Sequence, residues 1–332
     1  MKTMPFKTVW FFRNPHFQTI WPALFRYIAK PSYTRERIEL RDGDFLDIDW
    51  CGNNNFDSPL VILLHGLEGS SDSQYIRGMV KSLVRQGWCC AAMNFRGCSG
   101  EMNRLQRSYH SGATDDLDEI ISLLSERYPD SALHAIGFSL GGNVLLKWCA
   151  ETGKQNPLSA AIAVSVPYRL AVASTTLDSK GFFSRIYRWR LLRSLKNKTL
   201  KKIQHGIIEQ DVADIQGIQS IHDFDDMVTA PLHGYINADD YYSRASSYSH
   251  LDKIQIPTLL LHAVDDPFMD SSAIPHNTDE IRSVKLELSP NGGHVGFFQP
   301  SFFSSSYWLD VRIPDFLRSM VIGERSEIKD EG

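Results

Sequence analysis

Five residues, Gly137-Phe138-Ser139-Leu140-Gly141, constrain the fold of this chain more than any other stretch. They fit G-x-S-x-G and lie between an apolar run (Ala132–Ile136) and a helix-forming stretch over 140–151, so the serine falls on a strand-to-helix turn. Such a turn is strained, and a side chain two positions to either side of the serine would crowd the neighbouring strand and helix; glycine avoids both. The hydroxyl is then lifted clear of a sheet. Phosphate loops are a poor alternative, because GFSLGGN has neither the Gly-Lys-Ser/Thr ending of a P-loop nor the G-x-G-x-x-G spacing of a dinucleotide site.

The surrounding pattern supplies that sheet. Residues 37–50 read as a hairpin about Asp42-Gly43, with alternating apolar positions on each side. A continuous apolar run at 59–64 is the mark of a strand buried on both faces, and further runs follow at 88–94, 132–138, 160–166, 258–263 and 284–288. Amphipathic stretches at 73–86, 114–128 and 140–151 suit crossover helices, and 313–321 a closing helix. The expectation is an α/β protein with a mostly parallel, doubly wound sheet, one domain over 1–332. The series is interrupted at about 168–250, read as an inserted helical cap. Within it the basic run FFSRIYRWRLLRSLKNKTLKKI is expected to be a cap helix with a charged solvent face, a membrane-surface helix being the alternative. An N-terminal arm, 1–30, is expected to pack its Trp10, Phe11, Phe12, Phe17 and Trp21 onto the domain, with interfacial membrane contact as the rival.

A formal charge of −4 leaves no basic footprint for nucleic acid. Cys51, Cys89, Cys90, Cys98 and Cys149 are odd in number and partly within apolar runs, which suits a reducing compartment. The apolar cluster Val9–Phe12 is ended by Arg13, too short for a signal peptide, so the expected location is cytoplasmic. Among metal signatures, HExxH, CxxC and EF-hand spacings do not occur, and neither a metal nor another cofactor is implied.

A serine hydroxyl is a weak nucleophile at neutral pH and needs a base, itself oriented by an acid, with both expected downstream in this fold. His294, in Asn291-Gly292-Gly293-His294-Val295-Gly296 after the last strand, is the best base. His262 lies inside an apolar run, and His276, His250 and His205 lack comparable loop context. Asp266 is the expected acid; Asp265 would brace the turn before Pro267, and Asp270 is a third option. Oxyanion donors are expected from the backbone N–H groups of Leu140 and Leu67. Arg96, in Asn94–Gly100, reads as a brace between loops. His110 and Asp115 form an H-x4-D pattern linked with acyltransferases, although Thr114 or Asp115 as a helix N-cap is simpler.

The stretches NPHFQTIWPAL (14–24), HGLEGSSDSQYIRGM (65–79), NFRGCSG (94–100), GFSLGGN (137–143), FDDMVTAPLHGY (224–235), AVDDPF (263–268) and NGGHVGF (291–297) span nearly the whole chain. Together they resemble the YheT-like branch of AB-hydrolase family four, within the α/β-hydrolases. The resemblance implies a triad of Ser139, Asp266 and His294, and activity on carboxylic esters. The expected function is therefore serine esterase action on small-molecule esters of short to medium acyl chain, the cap aromatics Phe182, Phe183, Tyr187, Trp189 and Tyr235 suiting an apolar acyl group. The alternatives are an acyltransferase or lipid-ester lipase with the same triad, and a non-catalytic ligand-binding scaffold.

Overall fold

Apolar strands that alternate their side chains between two faces need helices over both, and that requirement shapes the molecule. A computed structural model describes residues 5–52, 58–276, 278–300 and 305–330. Its strands are β1 (Thr34–Glu39), β2 (Phe45–Cys51), β3 (Leu60–Leu64), β4 (Cys89–Asn94), β5 (Leu133–Phe138), β6 (Ala160–Val164), β7 (Thr258–Ala263) and β8 (Val284–Ser289). They form one sheet in the order β1-β2-β4-β3-β5-β6-β7-β8. The hairpin β1–β2 and the β2–β4 pair are antiparallel, and every pairing from β4 to β8 is parallel.

In β3, Leu60, Ile62 and Leu64 face one core, completed by α3 (Thr114–Arg127) and α4 (Leu140–Thr152). Val61 and Leu63 face the other, under α2 (Gln74–Val84) and the C-terminal helix Leu309–Asp330. The sheet is thus doubly wound, as the continuous apolar runs require. The chain leaves β3 for β4 on one side and returns to β5 on the other, so the loops after β3 and β5 diverge over a crevice, the usual place for a ligand site in such sheets.

Between β6 and β7 the chain makes a helical excursion with α5 (Leu170–Leu177), α6 (Phe182–Gln204) and shorter helices such as Val212–Gly217 and Ala238–Ala245. Leu177, Tyr187, Leu192, Ile215, Phe224 and Val228 give it a small core of its own. The basic run is α6, and its charge does not lie wholly toward solvent. Lys202 is 3% exposed and donates to the carbonyls of Leu105, Gln106 and Arg107 at 2.9, 3.2 and 2.9 Å. Burial pushes its ammonium down to about 8. Helix and loop are thereby bolted together.

The arm begins with α1 (Pro15–Phe25), started by Pro15 and capped by the Asn14 side chain, which accepts from the N–H groups of His16 and Phe17. It packs through Phe6, Gln18, Pro22 and Arg26, all buried, and Arg26 pairs with Asp310. The expectation for its aromatics is corrected at two positions, since Trp10 is 77% and Phe11 57% exposed. The local reason is that the Gln18 carboxamide occupies the contact, bonding Phe12 O, Phe298 O and Phe298 N–H, which turns the preceding residues outward. Residues 1–4 of the arm lie outside the described residues.

Arg96, 3% exposed, donates to Asp116 at 2.6 and 2.8 Å and lies 3.0 Å from Asp44 and 2.8 Å from Asp42. Arg96→Leu would strand the buried carboxylates of Asp44 and Asp116. The urea midpoint should fall by the equivalent of about 3–5 kcal/mol, the cost of breaking a buried ion pair from one side. Neither Thr114 nor Asp115 caps α3. The N-cap is Ala113, without a side-chain bond, and Asp115 pairs with Arg107 instead.

Candidate active site

Ser139 sits between β5 and α4 with φ 52° and ψ −120°, a conformation that side chains rarely adopt. The turn cannot relax, because its flanks are closed. A Cβ on Gly137 would lie 2.5 Å from Gly141 O, and one on Gly141 2.5 Å from His65 O. Five non-glycine residues among those described have positive φ, namely Glu68, Ser139, Ser165, Val295 and Phe297. All lie in loops beyond the carboxyl ends of β3, β5, β6 and β8, so the strain is gathered around one crevice.

Into that crevice the chain brings three side chains from distant loops. His294 Nε2 is 3.0 Å from Ser139 Oγ, and His294 Nδ1 is 2.9 Å from Asp266 Oδ2. The other Asp266 oxygen accepts from Phe268 N–H at 2.9 Å, and the Phe268 ring stacks on the imidazole at 4.1 Å. Asp265 points away from the histidine ring: it accepts from Gly293 N–H at 3.0 Å, and burial raises its carboxyl above the usual range. Asp270 caps the short turn Ser271–Ala273. His262 is wholly buried in β7, and desolvation lowers it to about 4. His205 bonds Lys201 O at the end of α6, while His250 and His276 lie elsewhere on the surface.

The histidine loop is held from outside. Its His294 N–H donates to Thr19 Oγ1 of α1 at 2.9 Å, and its Val295 N–H to Ser165 Oγ at 3.0 Å. A Cβ at Gly293 would lie 2.6 Å from Pro15 O, and one at Gly296 would collide with Gln18 O, so glycine here permits α1 to lie against the loop. Thr19 and Ser165 escaped the sequence reading, because nothing in their local context marks a contact so far along the chain.

The loop after β3 comes close to the serine: a Cβ on Gly66 would be 3.1 Å from Ser139 Cβ. The N–H groups of Leu67, in this loop, and of Leu140, first in α4, have no hydrogen-bond acceptor among the described residues. Such amides at a helix N-terminus and a tight loop can receive an oxyanion. No group of three or more His, Cys, Asp or Glu among the described residues is arranged to hold a metal. The aromatics suggested for an acyl pocket divide. Tyr187 comes to the acid loop, packed on Phe268 at 4.8 Å, while Phe183 stacks on His16 of α1 at 3.8 Å. Phe182 and Trp189 face outward, and Tyr235 lies beside His110 and Tyr241.

Residues 59–301 match the profile of a family described as alpha/beta hydrolase fold. The chain belongs to that family. This α/β-hydrolase is 41% identical over 310 residues to YheT of Escherichia coli strain K12, named as a candidate esterase, covering 92% of this chain and 91% of that one. It is 33% identical to Phospholipase ABHD3 of Mus musculus, over 88% of this chain and 74% of the relative. The Saccharomyces cerevisiae monoacylglycerol lipase is 32% identical, over 74% and 56%. Among solved structures, the Pyrococcus furiosus esterase Pf2001 shares the fold at a TM-score of 0.56 and 17% identity, covering 96% of this chain and 98% of that one.

In this hydrolase one further residue controls the loop after β3. Glu68, with φ 55°, accepts from Tyr109 OH at 2.7 Å and Lys198 Nζ at 2.9 Å, and from Ser194 Oγ. Its N–H donates to the same Tyr109 oxygen at 2.7 Å. Helix α6 thus grips the residue next to Leu67. Glu68→Ala should lower kcat about 10- to 100-fold with KM little changed, the size of effect expected when a reacting geometry is displaced by about an ångström. Steady-state kinetics alongside a melting curve checks this, since loss of stability alone would leave the kcat of the folded fraction intact.

Proposed function

We propose that this α/β-hydrolase is a serine esterase that cleaves carboxylic esters through an acyl-enzyme on Ser139. One observation carries the reading: the unbroken series Ser139 Oγ, His294 Nε2 and Asp266 Oδ2 at 3.0 and 2.9 Å, beside two amides without acceptors among the described residues. In this reading His294 Nε2 takes the hydroxyl proton as Oγ bonds the ester carbon, and the Leu67 and Leu140 amides hold the resulting oxyanion. The intermediate collapses with departure of the alcohol, which receives the proton from the imidazolium. Water then attacks the acyl-enzyme by the same route and releases the acid. Asp266 keeps Nδ1 protonated throughout, so that Nε2 is the basic nitrogen.

Phe268 on the His294 ring, with Tyr187 packed on Phe268, suits an apolar ester of short to medium chain. Relatives named as an esterase, a phospholipase and a lipase point to the same bond class. The acyltransferase motif gains no support, because Asp115 is engaged with Arg107 and the His110 ring packs on His233 at 4.3 Å. A cytoplasmic setting belongs to the same reading, with Cys90, Cys98 and Cys149 buried as thiols.

The test is labelling with a fluorophosphonate, located by mass spectrometry, followed by p-nitrophenyl esters of increasing chain length. Labelling at Ser139 with turnover of the esters is expected. A folded protein that neither labels nor turns over would overturn the reading and leave a ligand-binding scaffold.

A further inference from the structure

Exposed aromatic side chains are normally scattered, yet here they are gathered. Every exposed Trp and Phe among the described residues lies in the arm or the start of α6: Trp10, Phe11 and Phe25, then Phe182 and Trp189. Leu24 and Tyr27, 62% and 86% exposed, join the first group, and Ile186 the second. Ring contacts run without a break from Trp10 through Phe11, Phe12, Phe17 and Trp21 to Phe25, each at 5.5 Å or less. The two groups adjoin where His16 stacks on Phe183 at 3.8 Å and its Nδ1 lies 3.1 Å from Tyr187 OH.

Charge marks the same segments. In a chain of net charge −4, residues 1–35 contain no Asp or Glu, and residues 182–204 carry eight Arg or Lys with none. Lys7, Arg13, Arg185, Arg190 and Arg193 are exposed and have no ion-pair partner among the described residues. Arg193 lies over the Trp189 ring at 5.4 Å. Aromatic residues flanked by unpaired cations suit the boundary of an anionic bilayer, where rings enter the headgroup layer and the cations meet lipid phosphates. No helix among the described residues is long and apolar enough to cross a membrane, so contact would be with one leaflet.

We propose that the arm and the start of α6 form a docking surface for an anionic lipid bilayer, from which the esterase draws lipid-ester substrates. The substrate clause rests on the esterase reading above. Its structural link is direct: α1 carries Thr19, which holds the His294 N–H, and from His16 of the arm the contacts run through Tyr187 and Phe268 to the His294 ring. A lipid lifted from the leaflet would meet these rings before it reaches Ser139. The soluble medium-chain esters are then stand-ins for substrates presented at a surface.

The full chain is sedimented with phosphatidylcholine vesicles with and without phosphatidylglycerol, beside Trp10→Ser/Phe11→Ser/Trp189→Ser and Arg190→Gln/Arg193→Gln, with p-nitrophenyl butyrate hydrolysis assayed in solution. Binding to the anionic vesicles should exceed binding to neutral ones by about tenfold or more, and each variant should lose about tenfold with butyrate turnover unchanged. No binding of the wild type, or binding indifferent to all five substitutions, overturns the docking surface whatever the butyrate result. So does a concentration-dependent dimer that the aromatic variant breaks, since a second copy would then cover the face. Loss of butyrate turnover in the wild type overturns the esterase reading and leaves the vesicle result standing by itself.

Discussion

Ser139→Ala is expected to lower kcat for a p-nitrophenyl ester by about 10⁶-fold while leaving the melting temperature nearly unchanged. The size of the effect follows from the role proposed for Oγ: without it no acyl-enzyme would form, leaving the roughly 10³-fold that binding and oxyanion stabilisation alone provide. Stability should hold because the Ser139 side chain has a single bond, to His294, and Ala meets the same backbone strain that Ser already tolerates at φ 52°. Fluorophosphonate labelling should vanish in the same variant. A variant retaining more than a few per cent of wild-type turnover would mean that the nucleophile lies elsewhere.

Asp266→Asn is the second large effect, a fall in kcat of about 10⁴-fold. An amide at this position can place its NH2 against Nδ1, which would drive the imidazole proton to Nε2 and leave no basic nitrogen toward Ser139. Asp265→Asn is its control. That carboxylate braces Gly293 N–H and Asn291, so its loss should appear mainly as lower stability, about 1–3 kcal/mol, with kcat within about tenfold of wild type. Turnover and urea denaturation of both variants separate the roles, and equal kinetic losses would show that the two aspartates act as a unit.

The sheet was legible wherever burial on both faces left a continuous apolar run. Leu60–Leu64 and Leu133–Phe138 have no polar alternation to obscure them except His134, and the strands fall within a residue or two of the runs. GFSLGG was legible for a different reason: two strands and the first turn of a helix approach so closely at Gly137 and Gly141 that the backbone leaves its mark on residue type. The interactions that escaped are those whose partner is remote. Lys202 looks like one more surface charge in a basic run, because hydropathy cannot register three carbonyls about 96 residues away. Glu68 has no local mark in the sequence, because its partners Ser194 and Lys198 lie about 130 residues on. Trp10 and Phe11 look like packing residues because the sequence shows their size but not that Gln18 takes the contact.

Gln18 also joins parts of the fold that are made far apart in time. Its bonds to Phe298 join segments 280 residues apart, and the base that faces Ser139 lies beside the later of them. At about 5–20 residues per second, a ribosome needs roughly 15–55 s to pass from one to the other. For the later part of that interval the serine turn is present without the imidazole that faces it. If Ser139 is the nucleophile proposed above, a nascent chain lacks its proton acceptor until His294 has been translated.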